Sequence, residues 1–339
     1  MQSTGAKRAG NCSVRLGALV AAAVAVGLAV TAAPWRAASA AAEVGTSGPA
    51  SAPPSSSTAV GLRVLRLVDT SRTIRTRRGR PIPRTLVTYV RYPALGAPGQ
   101  TDAPNAPAAG GSYPLIVFAH GFDVTPQTYA RLLQSWARAG FVVAAPVFPL
   151  SSSGAPGGPE EGDVVNQPQD VSFVISSLLA LNEPGAGQLA GLIDPSKIAV
   201  SGHSDGAETA LAVAYSRRYH DPRVDAAMIF SGAEMSGIGG YSFPPGGPPL
   251  LAVQGTADTS NEPRYTDAYF DLAQRPRFLL RLLGAGHLPP FTYEQPQLTI
   301  VEQVTVAFLE RYLKGEPAAL QRMTALGTVS RRSALLAEP

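Results

Sequence analysis

Six short apolar runs punctuate the middle of the chain, at residues 115–119, 141–145, 198–201, 226–230, 250–254 and 278–283. Each is too short for a helix and lacks the alternation of a strand with one wet face, so each reads as a strand buried on both sides, the mark of a parallel sheet. Helical spacing fills the gaps. Tyr129, Leu132, Leu133 and Trp136 share one side of a segment that opens with Thr125 as N-cap and Pro126 in the first turn and stops at Gly140, which predicts a helix with Trp136 in the core. A second helix begins near Pro168 with Val171, Val174, Ile175, Leu178 and Leu179 on one side, and a third covers 298–313 with Val301, Val304, Phe308 and Leu309 facing inward. Both are expected to cover faces of the sheet.

Ahead of this pattern, runs at 62–68 and 85–92 are joined by a segment containing Gly79, Pro81 and Pro83, which suits an antiparallel pair at a sheet edge. Arg63, Arg66, Arg72, Arg75, Arg77, Arg78, Arg80, Arg84 and Arg91 crowd this region. They form either a surface for an anionic partner or a solvated strand face, and their alternation favours the solvated face. The expected architecture is α/β: a mostly parallel central sheet with an antiparallel N-terminal edge and helices on both faces, built from residues 61–315. Residues 316–339 read as a loosely held C-terminal tail.

The start of the chain has a different composition. Lys7, Arg8 and Arg15 precede an apolar run at 16–30, followed by small residues around Ala38, Ser39 and Ala40. Residues 1–42 thus read as a secretory signal peptide cleaved near Ala40 or Ala42, which predicts a secreted mature protein. A retained anchor is the competing reading, but the run is shorter than the roughly 20 apolar residues that span a bilayer. Residues 43–60, mostly Ser, Pro, Gly, Ala and Thr, read as a flexible linker.

The signal changes how the charge is read. The chain carries 28 Lys and Arg against 24 Asp and Glu, and Lys7, Arg8, Arg15 and Arg36 all lie in the signal, which holds no acid. The remaining residues balance at 24 against 24, which gives no reason to expect a nucleic-acid partner. The single cysteine, Cys12, sits in the charged start of the signal, so neither a disulfide nor a catalytic thiol is expected after cleavage. No metal-ligand spacing joins the histidines, and no cofactor is expected.

The chemistry concentrates at residues 200–206, Val-Ser-Gly-His-Ser-Asp-Gly. This G-x-S-x-G motif follows a buried strand and precedes an alanine-rich helical stretch, the context a nucleophile elbow needs. Gly202 and Gly206 leave room for a sharp turn that holds Ser204 strained above the sheet, and the helix N-terminus beneath favours developing negative charge. A serine hydroxyl needs a base, and the order serine, acid, histidine is met downstream. His287, in Gly-Ala-Gly-His after the last strand, is the candidate general base and then acid; Asp258, in Gln-Gly-Thr-Ala-Asp-Thr after the strand at 250–254, is the candidate that orients it. Asp267 and Asp271 compete but fall in a helical pattern, and Asp225 reads as turn chemistry. The backbone N–H groups of Phe122 and Asp205 are the candidate oxyanion donors. Gly121 allows close approach of the backbone, His120 is expected to brace its loop, and His203 to pack beneath the elbow. His220 sits in a polar turn.

GHSDG at 202–206, HGF at 120–122, GTAD at 255–258 and GAGH at 284–287 together resemble the α/β-hydrolase superfamily over residues 62–313. The Arg-Tyr-Pro-Ala and Tyr-Pro-Leu-Ile-Val-Phe-Ala-His-Gly-Phe stretches are similar to the branch of chlorophyllase-like, dienelactone-hydrolase-like and platelet-activating-factor-acetylhydrolase-like proteins, near the cutinase-like polyester hydrolases. That resemblance implies the α/β-hydrolase fold and a cofactor-free carboxylic-ester hydrolase acting on a small-molecule, lipid or polymeric ester. Two departures matter. Dienelactone hydrolases carry cysteine where this chain has Ser204. Many polyester hydrolases carry an apolar or larger residue where it has Asp205, whose charge disfavours anionic acyl groups. The Gly- and Pro-rich stretch 231–249 leaves no room for a helical cap, so an open cleft is expected, with the loop 151–168 as a second rim. Phe122, Tyr241, Phe243, Phe291 and Tyr293 are the aromatic candidates for substrate contact. A secreted acyltransferase using the same three residues, and a binding protein on the same scaffold, are the other readings. The survival of all three residue types in order argues against the second.

Overall fold

The computed structural model describes residues 58–75 and 79–339. The expected signal peptide and nearly all of the expected linker lie outside the described residues. Ten strands join in one sheet among the described residues: β1 (Ala59–Arg75), β2 (Pro81–Ala94), β3 (Ala103–Pro104), β4 (Tyr113–Ala119), β5 (Val142–Val147), β6 (Ile193–His203), β7 (Ala226–Phe230), β8 (Leu250–Gly255), β9 (Arg277–Leu282) and β10 (Ser333–Glu338). Their spatial order is β10-β9-β8-β7-β6-β4-β5-β2-β1-β3. The six strands from β5 across to β9 pair in parallel. Antiparallel pairs flank them, β2 on β5 at one side and β10 on β9 at the other.

Alternation within the apolar strands creates two cores. Leu115 and Val117 of β4 face the side covered by α2 (Gln167–Asn182), α3 (Asp205–Tyr215) and α4 (Pro263–Leu272). Ile116 and Phe118 face the other side, covered by α1 (Ala130–Arg138), α5 (Gln297–Tyr312) and α6 (Ala318–Gly327). Trp136 of α1 is fully buried and donates its indole N–H to Thr305 Oγ1 of α5 at 2.8 Å, so its one polar atom is satisfied inside the core. The start of α1 differs from the sequence pattern. Residues Pro126–Tyr129 form a 3-10 turn first, and Thr125 makes no capping hydrogen bond.

Two expectations are corrected. Residues after Gly315 are not a loose tail: α6 packs on the core through Ala319 and Met323, and β10 pairs with β9 from Ser333 opposite Leu282 to Glu338 opposite Arg277. The arginines of the N-terminal hairpin are not uniformly solvated either. Arg84 is buried and forks onto Asp163 at 2.9 and 2.7 Å and onto Asp170 at 2.7 and 2.6 Å. Arg91 is buried against Asp102 at 2.8 Å, and Arg72 bridges Asp69 and Asp170. Asp163 and Asp170 lie far along the chain from the hairpin, so strand alternation gave no sign of them. The Arg84 cluster ties β2 to the 3-10 turn Glu161–Asn166 and to α2, and with them one rim of the sheet's C-terminal edge. Arg84→Ala would leave buried Asp163 without a cation and Asp170 with Arg72 alone, and is expected to cost about 3–5 kcal/mol of stability. Urea unfolding at neutral pH checks this, and a loss below about 1 kcal/mol would mean the cluster behaves as a solvated surface pair.

Candidate active site

One residue separates the end of β6 at His203 from the start of α3 at Asp205. That residue, Ser204, sits at φ 57° and ψ −126°, a conformation costly for any residue with a side chain. The turn is possible because the backbone comes very close to itself. A Cβ on Gly202 would lie 2.0 Å from the Gly206 carbonyl oxygen, and one on Gly206 would lie 2.1 Å from the Ala119 carbonyl oxygen at the end of β4. The approach of Gly121 is looser, with a Cβ there 3.2 Å from the Ser204 Cβ.

The turn after β8 carries Asp258 and the loop after β9 carries His287. His287 Nδ1 lies 2.7 Å from Asp258 Oδ2, and His287 Nε2 lies 2.9 Å from Ser204 Oγ. A carboxylate can only accept, so Nδ1 carries the proton and Nε2 is free to take one from the serine. Asp258 Oδ1 accepts from the backbone N–H groups of Ser260 at 2.9 Å and Asn261 at 3.0 Å. Burial works against this carboxylate, but the His287 contact and the Asn261 N–H outweigh it and hold its pKa below the usual value. Of the competing acids, Asp267 pairs with Arg281, and Asp225 accepts the Ile198 N–H at 2.8 Å.

The loop after β4 passes beside the elbow. Among the described residues, neither the Phe122 N–H nor the Asp205 N–H is taken by a backbone carbonyl, and the Asp205 N–H also supports its own carboxylate. His120 is buried, with Nδ1 2.7 Å from the Gly121 carbonyl and Nε2 accepting the Phe148 N–H at 3.0 Å. Its neutral Nδ1–H tautomer thereby braces the loop against the end of β5. His203 lies under the site. Its Nε2 is 2.9 Å from the His287 carbonyl and its Nδ1 is 2.8 Å from the Tyr129 hydroxyl. Because the carbonyl only accepts, Nε2 donates and Tyr129 donates to Nδ1. The sequence pattern marked Tyr129 only as an apolar helix position, and nothing in it signalled this hydroxyl contact. Gln254 was missed as well: its amide donates to Asp258 Oδ2 at 3.3 Å and to the Asn261 carbonyl at 3.1 Å.

The aromatic candidates are not brought together. Phe122 is half-buried on the loop beside the elbow. Phe291 is fully buried, stacked on Phe230 and 5.0 Å from the His203 ring, so it packs beneath the site and does not line a cleft. Phe243 rests on Tyr215 at the far end of α3, and Tyr241 pairs through its backbone with Ser216. At about 1.5 Å of rise per residue, that end is roughly 16 Å from Ser204. Tyr293 is 72% exposed on a turn and has no aromatic partner among the described residues. No helix lies between β7 and β8, and Ser204 itself is partly exposed. Among the described residues no group of acids, histidines or cysteines is placed to hold a metal ion, and no helix is long and apolar enough to cross a membrane.

Carboxylates of α3 border the site. Asp205 is pushed up to about 6 by burial and then by the charge of Glu161. Glu208, one turn further, is pushed up to about 8 by burial and then by Asp205 and Glu161. The arrangement can deprotonate a serine hydroxyl, offer N–H groups to an oxyanion and return the proton to a leaving group.

A family model described as Chlorophyllase matches residues 96–230, a stretch that includes the loop at 120–122 and the elbow but stops short of Asp258 and His287. No curated protein sequence matches the chain. Among solved structures, the ferulic acid esterase from Streptomyces cinnamoneus aligns with a TM-score of 0.60 at 21% identity, covering 78% of this chain and 93% of that one. The chain has the α/β-hydrolase fold.

The buried histidines make stability pH-dependent. His203 is pushed down to about 3 by burial and then by the charge of His287, and His120 to about 4 by burial. A histidine depressed in the folded state contributes in full above its unfolded value of about 6.5 and loses that contribution as pH falls toward the folded value. Asp205 and Glu208, raised in the folded state, act in the opposite sense over part of the same range, so a difference between variants isolates one group. Between about pH 6 and pH 4, wild type is expected to lose stability relative to His203→Gln at about 1.4 kcal/mol per pH unit, one proton's worth. Chemical denaturation across that range reads it, and a flat difference would mean that folded His203 binds a proton.

Proposed function

We propose that the protein is a secreted serine esterase that cleaves carboxylic esters through an acyl-enzyme on Ser204. The contact pair Ser204–His287–Asp258, at 2.9 and 2.7 Å on a strained elbow, carries this reading. Ser204 Oγ attacks the ester carbonyl while His287 Nε2 takes its proton. The carbonyl oxygen becomes an oxyanion beside the N–H groups of Phe122 and Asp205. Collapse expels the alkoxide, which leaves as the alcohol with the proton from His287, and water then repeats the sequence to release the acid and restore the serine. Asp258 keeps the imidazole in the tautomer the cycle needs and stabilises it when charged.

Support comes from three directions. The Chlorophyllase family model and the ferulic acid esterase both point to carboxylic-ester hydrolysis. The stretch between β7 and β8 forms no helix, which leaves the site accessible to esters with bulky alcohol or acyl parts. The basic start, apolar run and small residues of 1–42 support export.

A fluorophosphonate is expected to add one phosphonyl group per molecule, seen by intact mass, and Ser204→Ala to abolish the adduct. Ser204→Ala or His287→Ala should lower ester turnover by at least roughly a thousandfold and Asp258→Asn by up to about ten-thousandfold, with folding retained. Near-normal turnover in a pure, folded Ser204→Ala or His287→Ala variant would overturn the mechanism.

A further inference from the structure

Among the described residues, carboxylates removed from solvent are met by a cation or by hydrogen-bond donors, with one exception. Arg84 holds Asp163 and Asp170, Arg91 holds Asp102, Arg223 holds Asp221, and Asp258 accepts from His287 and two backbone N–H groups. The exception surrounds the nucleophile. Asp205 is only 9% exposed, and its Oδ2 has no hydrogen-bond partner. Glu208 follows one helical turn later, half-buried, and Glu161 stands exposed at the rim. Asp205 feels the charge of Glu161 and, in the opposite sense, that of His287, and Glu208 feels those of Asp205 and Glu161, with no lysine or arginine among them. These acids form a lane without a fixed cation beside the residue whose N–H is the proposed oxyanion donor.

The lane is held in place. Glu161 opens the 3-10 turn Glu161–Asn166, which Asp163 fastens to buried Arg84 and to the Asn166 amide at 2.8 Å, so the backbone that carries Glu161 is anchored. Asp205 is fixed as the first residue of α3, where the helix N-terminus offsets part of its charge. Like charges gathered where water is scarce destabilise the free protein. They also raise the barrier for an uncharged ester, since the oxyanion forms next to an existing carboxylate. A cation delivered by the substrate removes both penalties at once.

We propose, resting on the esterase reading, that Asp205, flanked by Glu208 and Glu161, is the recognition site for a positively charged ammonium group of the substrate, so that the enzyme selects cationic esters over uncharged esters of the same shape. A choline ester and the 3,3-dimethylbutyl ester of the same acid make the comparison, because a carbon replaces the nitrogen and the shape is kept. At low ionic strength and above about pH 8, where Glu208 has also lost its proton, the ratio of kcat/KM, each divided by the ester's uncatalysed rate, is expected to favour the choline ester by roughly ten- to a hundredfold, the worth of a charge pair partly shielded from water. Asp205→Asn should bring the ratio close to one, and Glu208→Gln and Glu161→Gln each part of the way. Taken within one variant, the ratio is unaffected by the fraction of folded enzyme. Two 4-nitrophenyl methylphosphonates that carry these alcohols as the retained alkoxy group and lose 4-nitrophenolate give the ratio from inactivation rates at Ser204 if turnover is slow. Equal rates for the pair in wild type, or an undiminished ratio in Asp205→Asn, would overturn the proposal while leaving the esterase standing. Absence of both turnover and phosphonylation would overturn the two together.

Discussion

Where β6 turns into α3, the backbone packs against itself and against the end of β4 with no volume left for a side chain at positions 202 and 206. Every other feature of the site depends on that contact. It forces Ser204 into a left-handed conformation, lifts its hydroxyl clear of the sheet and starts a helix directly beneath. It also brings the loop after β4 against the serine, where a Cβ on Gly121 would lie 3.2 Å from the Ser204 Cβ. The placement of the nucleophile and of the proposed oxyanion donors therefore follows from one backbone event.

The base is fixed to this event from below. Tyr129 belongs to the 3-10 turn that precedes α1, His203 is the last residue of β6, and His287 stands on the loop after β9. The hydrogen bonds Tyr129 to His203 and His203 to the His287 carbonyl join all three at 2.8 and 2.9 Å, and Phe291 and Phe230 stack underneath. Because these bonds set the backbone of His287 and leave its ring free, the imidazole can exchange protons with Ser204 without losing its place. Asp258 then needs only to choose the tautomer.

The parallel strands and the helices that cover them were legible because burial on both faces writes itself directly into the sequence as short apolar runs. So was the group Ser204, Asp258 and His287, since each follows a strand whose C-terminal end marks the same edge. What escaped was set by contacts distant in sequence. Arg84 looks like any polar residue of an edge hairpin until Asp163 and Asp170 arrive from some eighty residues away. The strand β10 alternates weakly and is recognised as sheet only by its pairing with β9. Tyr241 and Phe243 were placed near the site because they follow β7, whose end faces Ser204. The chain instead travels back along α3 before them, so proximity in sequence to the right strand did not mean proximity to the right end of the helix.

The unfavourable features of this fold collect within a few residues of the serine. A positive φ at Ser204, two histidines kept neutral by burial and an unpartnered carboxylate oxygen on Asp205 all lie there, whereas the acids elsewhere in the interior are paired. Two well-packed cores and a closed pair of antiparallel edges can carry such local costs. A merely structural elbow would have no use for a carboxylate at Asp205, where an apolar residue would satisfy packing without repelling Glu208 and Glu161. The charge is tolerable in the free protein only because the α3 N-terminus and neighbouring His287 moderate it. Its place on the residue whose N–H is the proposed oxyanion donor is what, under the proposal, ties the electrostatics of the rim to the choice of substrate.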